Sequence, residues 1–220
     1  MLTDKKLEDY IFSHSEEEDE VLKELDRETN LHVLNPRMLS GHLQGKLLEM
    51  FSRMIGPEQV LEIGTYTGYS AICLARGLKE GGQLHTIEID DELESIAGKY
   101  FIKAGLDDKI VQHIGPAVEI IPTLHQTFDL IFLDADKLEY CTYFDLVFDK
   151  LRPGGFILAD NVLWNGKVLE TPSVKDGQTL GIIQFNEKIK NDPRVSQVIL
   201  PLRDGLMLIR KKEESLPAHS

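Results

Sequence analysis

From Glu58 onward, short apolar runs alternate with amphipathic segments, and this alternation restricts the possible folds more than any other feature of the chain. The runs are Val60–Ile63, Leu84–Ile89, Ile110–Ile114, Phe128–Leu133, Phe156–Ala159, Val195–Leu200 and Leu206–Ile209. Helical patterns separate most of them, over 69–79, 91–104, 116–124, 139–151 and 178–190. Strands buried on both faces read as continuous apolar runs, and joining parallel neighbours requires a crossover long enough for a helix. The pattern therefore predicts an α/β fold, a doubly wound sheet covered on both faces. The last two runs are joined only by Pro201-Leu202-Arg203-Asp204-Gly205, too short for a crossover, so they should form an antiparallel hairpin. Seven strands with one reversed strand at the C-terminal hairpin is the expected architecture.

Ahead of this alternation, residues 16–29 and 40–54 read as helices, the second stopped by Gly56-Pro57. Ser15 and Glu18 have the spacing of a capping box for the first. A chain of 220 residues supports one full core, with no repeat or linker to divide it. The expected organisation is N-terminal helices over 1–56, a main unit over 57–212 and a tail over 213–220. No apolar run reaches the roughly 20 residues of a membrane helix, and no secretory signal is visible at the N-terminus. Cys73 and Cys141 form no CxxC pair and read as reduced core thiols, so a cytoplasmic setting is expected. The net charge of −13 argues against a general grip on nucleic acid and favours a small molecule as partner.

The stretch "VLEIGTYTGYSA", Val60 to Ala71, is a strand, a glycine turn and a helix start. Such a turn brings backbone amides against a ligand at the carboxyl end of the first strand. The glycine spacing is Gly64-x-x-x-Gly68, not that of the dinucleotide fingerprint, and Glu62 would repel a pyrophosphate. A ligand with a cationic amino-acid portion fits better, with Glu62, Thr65 and Ser70 near it. Glu88 ends the second strand, where an acid takes the hydroxyls of a ribose. A nucleoside joined to an amino acid without phosphate describes S-adenosylmethionine.

Two further strands end in acids. "LIFLDADK" runs straight from four apolar residues into Asp134, Asp136 and Lys137, and the fifth strand ends at Asp160-Asn161. Neighbouring strands lie about 4.8 Å apart, so Asp134, Asp160 and Asn161 can converge beside the glycine loop. Two carboxylates and an amide oxygen suit a hard divalent cation, Mg²⁺ first, with Mn²⁺ or Ca²⁺ as alternatives. Acids at strand ends also serve as helix caps, and the residues alone leave both readings open.

Five blocks, "EIGTYTGYSA", "IGPAVEIIP", "FLDADKLEY", "LRPGGFILADNVLWNG" and "LPLRDGLMLIRK", occur in order. Together they resemble the cation-dependent O-methyltransferases of the caffeoyl-CoA and catechol type, from about Met38 to Lys211. The resemblance implies the Rossmann-like class I methyltransferase fold, methyl transfer from S-adenosylmethionine, and a divalent cation on Asp134, Asp160 and Asn161. It places Lys137 at the family's catalytic lysine, as a proton acceptor or a partner for the developing oxyanion. Ala117 and Asp136 match cofactor positions, and "NPRMLSGHLQG" matches the helix start that covers the cofactor, with Ser40 where a threonine is usual. Gln44 replaces a glutamate there. Trp164 and Asn165 are candidates for the wall of the acceptor pocket, Trp164 equally for the core. A hydroxylated aromatic acceptor with vicinal hydroxyls and a homodimer are the implied partners. A tRNA hydroxyuridine O-methyltransferase and a cofactor-binding protein without catalysis are the alternatives.

Overall fold

The computed structural model describes residues 5–173 and 175–213. The strands are β1 (Gln59–Ile63), β2 (Gln83–Glu88), β3 (Ile110–Ile114), β4 (Phe128–Leu133), β5 (Leu151–Ala159), β6 (Val195–Leu200) and β7 (Leu206–Lys211). They form one sheet in the order β3-β2-β1-β4-β5-β7-β6. The pairings among β1 to β5 are parallel, and β7 runs antiparallel to both β5 and β6. The expected α/β sheet with one reversed hairpin strand is therefore present. The helices are α1 (Lys5–Ser13), α2 (Glu20–His32), α3 (Gly41–Ile55), α4 (Tyr69–Ala75), α5 (Glu94–Lys103), α6 (Ala117–Thr123), α7 (Tyr140–Phe148) and α8 (Gly177–Asn191).

The period-two alternation of a strand assigns the two faces. Leu61, Ile63, Ile131, Leu133 and Ile157 pack with Ile121, Phe144 and Phe185 of α6, α7 and α8. Val60, Leu130, Phe132 and Leu158 pack on the other side with Leu25, Leu48, Ile72 and Tyr100. Glu62 occupies a position on this second side and is completely buried. Every crossover from β1 to β3 runs one way and the return to β4 and β5 runs the other. The crevice between β1 and β4 at their carboxyl ends is thus the switch point where ligands bind in such sheets.

The register makes the strand ends level. Ile63 pairs with Leu133, and Leu133 with Ala159. The ladder continues one step: Asp134 N–H donates to the Ile63 carbonyl and Asp160 N–H to that of Leu133, each at 2.9 Å. Gly64 (φ 103°) follows β1 so closely beside β4 that a Cβ there would overlap the Asp134 carbonyl. Only glycine fits both the conformation and the space.

Several local expectations are corrected. The helix expected from residue 16 begins at Glu20 and is capped by Asp19, whose Oδ1 accepts from the N–H groups of Val21 and Leu22. Ser15 bonds back to the Ile11 carbonyl and Glu18 accepts from the Tyr69 hydroxyl, so there is no capping box. Helix α1 was not read from the sequence; it buries no residue, so no core-facing stripe had to be written into it. β5 starts at Leu151, not Phe156, and its register against β4 shifts between Phe128 and Leu130, near Pro153-Gly154. Pro153 lacks a ladder donor, which suits the irregular start of the strand. Both cysteines are free thiols, Cys73 buried but Cys141 only half-buried. His85 and His113 stack on neighbouring strands with ring nitrogens 3.0 Å apart. Of the tail, residues 214–220 lie outside the described residues. Among the described residues no helix is long and apolar enough to cross a membrane.

Candidate active site

A cleft of about 770 Å³ opens at the carboxyl ends of β1, β2, β4 and β5. Of the residues singled out from the sequence, it is lined by Ser40, Gly64, Thr65, Ser70, Glu88, Ala117, Asp134, Asp136, Lys137, Asp160, Asn161 and Trp164. Glu62, Gly68 and Asn165 are not among its lining residues.

The glycine loop is held from beneath. Gly64 and Thr65 N–H groups donate to the Ile87 carbonyl, and Gly68 adopts a left-handed backbone (φ 91°) against the Phe101 ring. Gly68 therefore shapes the turn instead of touching the cleft. Thr65 and Thr86 hydroxyls meet at 2.5 Å, and Thr86 donates to Glu62 Oε2 at 2.6 Å. Glu62 thus supports the loop from the core through Oε2, and it is not among the residues that line the cleft. Burial pushes its carboxyl up to about 8, against the lowering effect of the Ser70 and Thr86 hydroxyls. Glu88 turns to the cleft, with Oε2 accepting from Tyr66 N–H at 2.6 Å and Oε1 from Ile89 and Asp90 N–H groups at 2.9 and 3.1 Å. A carboxylate has about four lone-pair sites, so this one is fixed in place and still able to accept from a ligand hydroxyl.

Beside the loop, the ends of β4 and β5 bring Asp134 and Asp160 together. Asp160 is buried, its Oδ1 accepting from the Asn161 N–H at 2.8 Å and its Oδ2 from Gln44 at 2.6 Å. Burial, and next the Asp134 charge, push the Asp160 carboxyl up to about 7. Lys137 is 6% exposed, and its Nζ donates to Asp134 Oδ1 at 2.9 Å and to the Tyr140 hydroxyl at 2.8 Å. Burial alone would favour the neutral amine; the Asp134 carboxylate outweighs it and raises the lysine above its ordinary value. Tyr140 is fully buried, with its hydroxyl 3.0 Å from the carbonyls of both Leu133 and Asp160, so one side chain ties the two strand ends to the lysine. Asp136 caps the short turn Lys137–Glu139 and accepts from Gln178 at 2.9 Å. Capping acids and clustered acids thus share one loop, and the cap is Asp136.

Trp164 is half-buried, packing on the core while lining the cleft, so both readings of it hold. Asn165 is exposed, with its N–H bound to Asp204, and the structure does not bring it to the cleft. Sequence reading missed Tyr140, Gln178, Arg37 and Arg203. The resemblance of "FLDADKLEY", "LPLRDG" and "NPRMLSGHLQG" to the family marked the neighbourhoods of Tyr140, Arg203 and Arg37, and nothing marked Gln178. Among non-glycine residues, Asn35, Tyr66, Asn161, Trp164 and Arg203 of the lining have positive φ, between 47° and 60°. Such conformations collect where surrounding structure holds a ligand site in place.

A doubly wound sheet with its crevice lined by an acid at the end of β2 and a glycine loop after β1 is a nucleoside-binding architecture. The O-methyltransferase family model matches residues 12–212, and the chain belongs to that family. The match begins at residue 12, well ahead of Met38, so α2 and α3 lie inside it, whereas most of α1 lies before it. Caffeoyl-CoA O-methyltransferase 5 of Nicotiana tabacum is 33% identical over 205 residues, covering 88% of this chain and 85% of the relative. Caffeoyl-CoA O-methyltransferase 2 of Eucalyptus globulus is 35% identical, covering 88% and 83%. The O-methyltransferase TomG from Streptomyces achromogenes, solved in complex with S-adenosylmethionine, superposes with a TM-score of 0.88 at 31% identity, covering 94% and 96%. The Bacillus cereus O-methyltransferase, solved with S-adenosylhomocysteine, gives 0.85 at 32% identity, covering 94% and 97%. The chain is an S-adenosylmethionine-dependent O-methyltransferase of the caffeoyl-CoA type.

The Glu62 environment gives a pH prediction. Its folded-state value of about 8 lies above the ordinary 4.5, so the native state binds the extra proton and stability falls as pH rises between these values. Glu62→Gln, which cannot ionise, should raise the thermal midpoint of the ligand-free protein at pH 8 and change it little at pH 5. Equal shifts at the two pH values would show that Glu62 does not titrate in this window.

Proposed function

We propose that the cleft methylates one hydroxyl of a small aromatic acceptor with vicinal hydroxyls, held by a divalent cation on Asp134, Asp160 and Asn161. The observation that carries this reading is the pairing of two acids at adjacent strand ends, one of them buried. Burial, and next the charge of Asp134, raises Asp160, and among the described residues the cation bonded to the pair is Lys137, already shared with Tyr140. An all-oxygen donor set with unbalanced negative charge suits a hard cation. Such an ion, when bound, would lower the pKa of a chelated phenol, ordinarily about 10. The residues of the chain do the rest. Glu88 accepts from the ribose, Gly64, Thr65 and Ser70 border the amino-acid end, and Trp164 walls the acceptor. Lys137, kept charged by Asp134 and aimed by Tyr140, steadies the oxyanion that attacks the sulfonium methyl; its ion pair speaks against the proton-acceptor role. The hydroxyl proton leaves to solvent water as the oxyanion forms; then, as the oxygen–methyl bond forms, the carbon–sulfur bond breaks and the sulfonium becomes a thioether. Asp136 and Ala117 border the cofactor near its adenine and methionine ends in this reading.

Labelled S-adenosylmethionine with a panel of acceptors tests the proposal. Catechol-like acceptors should turn over far faster than their monohydroxy analogues, and exhaustive chelation should abolish turnover until Mg²⁺ is restored. Equal rates for the two acceptor types, or full activity after chelation, would refute the chelate.

Lys137→Met removes a buried charge that meets the reacting oxygen. By analogy with the loss of one oxyanion donor, kcat should fall about 10²–10³-fold, while cofactor affinity by calorimetry stays within about twofold. A loss confined to cofactor affinity would move Lys137 out of the chemistry.

A pair of chains belongs to the same proposal. Helix α1 buries no residue and leaves Leu7, Tyr10 and Phe12 exposed, an apolar surface of the kind that marks association. Light scattering should give twice the chain mass of 24.9 kDa; a monomer at micromolar concentration would count against it.

A further inference from the structure

The turn between β6 and β7 reaches the cleft and binds two other segments. Arg203, in a left-handed conformation (φ 47°), lines the cleft. Its Nη1 donates to the carbonyls of Ser40 and Leu39, the latter at 3.0 Å, and to Gln44 Oε1 at 3.2 Å. Gln44, 1% exposed in the first turn of α3, passes its Nε2 donor to Asp160 Oδ2 at 2.6 Å. A primary amide has one donor end and one acceptor end. With a guanidinium on Oε1, the donor end faces the carboxylate. The flipped amide would set oxygen against carboxylate and NH₂ against cation. The next residues of the turn fix the far side of the same loop. Asp204 accepts from the N–H groups of Leu163 at 2.8 Å and Asn165 at 2.5 Å, and the Gly205 carbonyl accepts from Val162 N–H at 3.1 Å.

We propose that Arg203 is a positioning residue for the cation site, acting through Gln44 to fix the Asp160 carboxylate. This rests on the cation reading above. The neutral amide holds the carboxylate without cancelling its charge, which a lysine or arginine at position 44 would do. A carboxylate there would instead add a like charge facing Asp160. Hydrogen-bond partners behind a ligating carboxylate commonly carry about 10–100-fold in metal affinity. Arg203 is the device that gives Gln44 a single orientation.

Titrating the ligand-free protein with Mn²⁺ alone, and following free Mn²⁺ by electron paramagnetic resonance, tests this without any turnover. Gln44→Ala should weaken Mn²⁺ binding by about tenfold or more, and Arg203→Met should weaken it severalfold. The double variant should bind no more than about twofold worse than Gln44→Ala alone, because the two residues act in series. Arg203→Lys keeps the charge without the planar fork and should also weaken binding, which covers the case in which Arg203→Met does not fold. Unchanged affinity in the folded Arg203 variants overturns the inference, as does a double variant whose losses multiply. Failure of the wild-type protein to bind Mn²⁺ overturns the cation reading and this inference with it. Wild-type binding with unaffected variants overturns the inference alone.

Discussion

The site depends on one backbone constraint: the carboxyl ends of β1, β4 and β5 are level. Two ladder hydrogen bonds beyond the strands, Asp134 to Ile63 and Asp160 to Leu133, set the first residues after β4 and β5 side by side. Gly64 closes the third corner, where a side chain would overlap the Asp134 carbonyl. A one-residue slip of either strand would turn its acid to the other face of the sheet. The apolar runs that bury both faces are therefore what keeps the acids in place, since the core tolerates only one register.

Holding acids this close in a buried setting is unfavourable unless they are compensated. Lys137 answers Asp134, and Gln44 and the Asn161 amide answer Asp160. The compensation is partial by design of the residue types: one charged donor, with neutral donors elsewhere. Asp160 still sits well above an ordinary carboxylic acid because of burial and its neighbour. Glu62, beneath the glycine loop, is the same problem solved with hydroxyls only, and its carboxyl is raised further.

Backbone strain gathers around the same cleft. Asn161, Trp164 and Arg203 all hold left-handed conformations that ordinary residues avoid. They persist because the β6–β7 turn and the loop after β5 bond to each other, through Val162, Leu163 and Asn165. The segment carrying the acids is thus braced by an element at the far end of the chain. This is why the reversed hairpin strand bears on the site as well as on the edge of the sheet.

Local information in the sequence determined much of this protein. Period and run length fixed seven strands, with Ile110–Ile114, Phe128–Leu133 and Val195–Leu200 matched residue for residue. The glycine turn, Glu88 and the acids after two strands were legible because each is a strand-end signal within a few residues of its own strand. The family blocks added Ala117, which spacing alone did not single out, and gave Lys137 its role. Where several donors and acceptors compete, local reading failed: Ser15 and Glu18 found other partners than each other, and Asp19 took the cap. Only the tertiary structure decided that Glu62 supports the loop from the core, that Asn165 stays outside the cleft, and that Gln44 meets Asp160. Gln44 and Asp160 lie 116 residues apart. Their contact is set by how α3 packs across the sheet ends, a long-range outcome that no periodicity in either segment encodes.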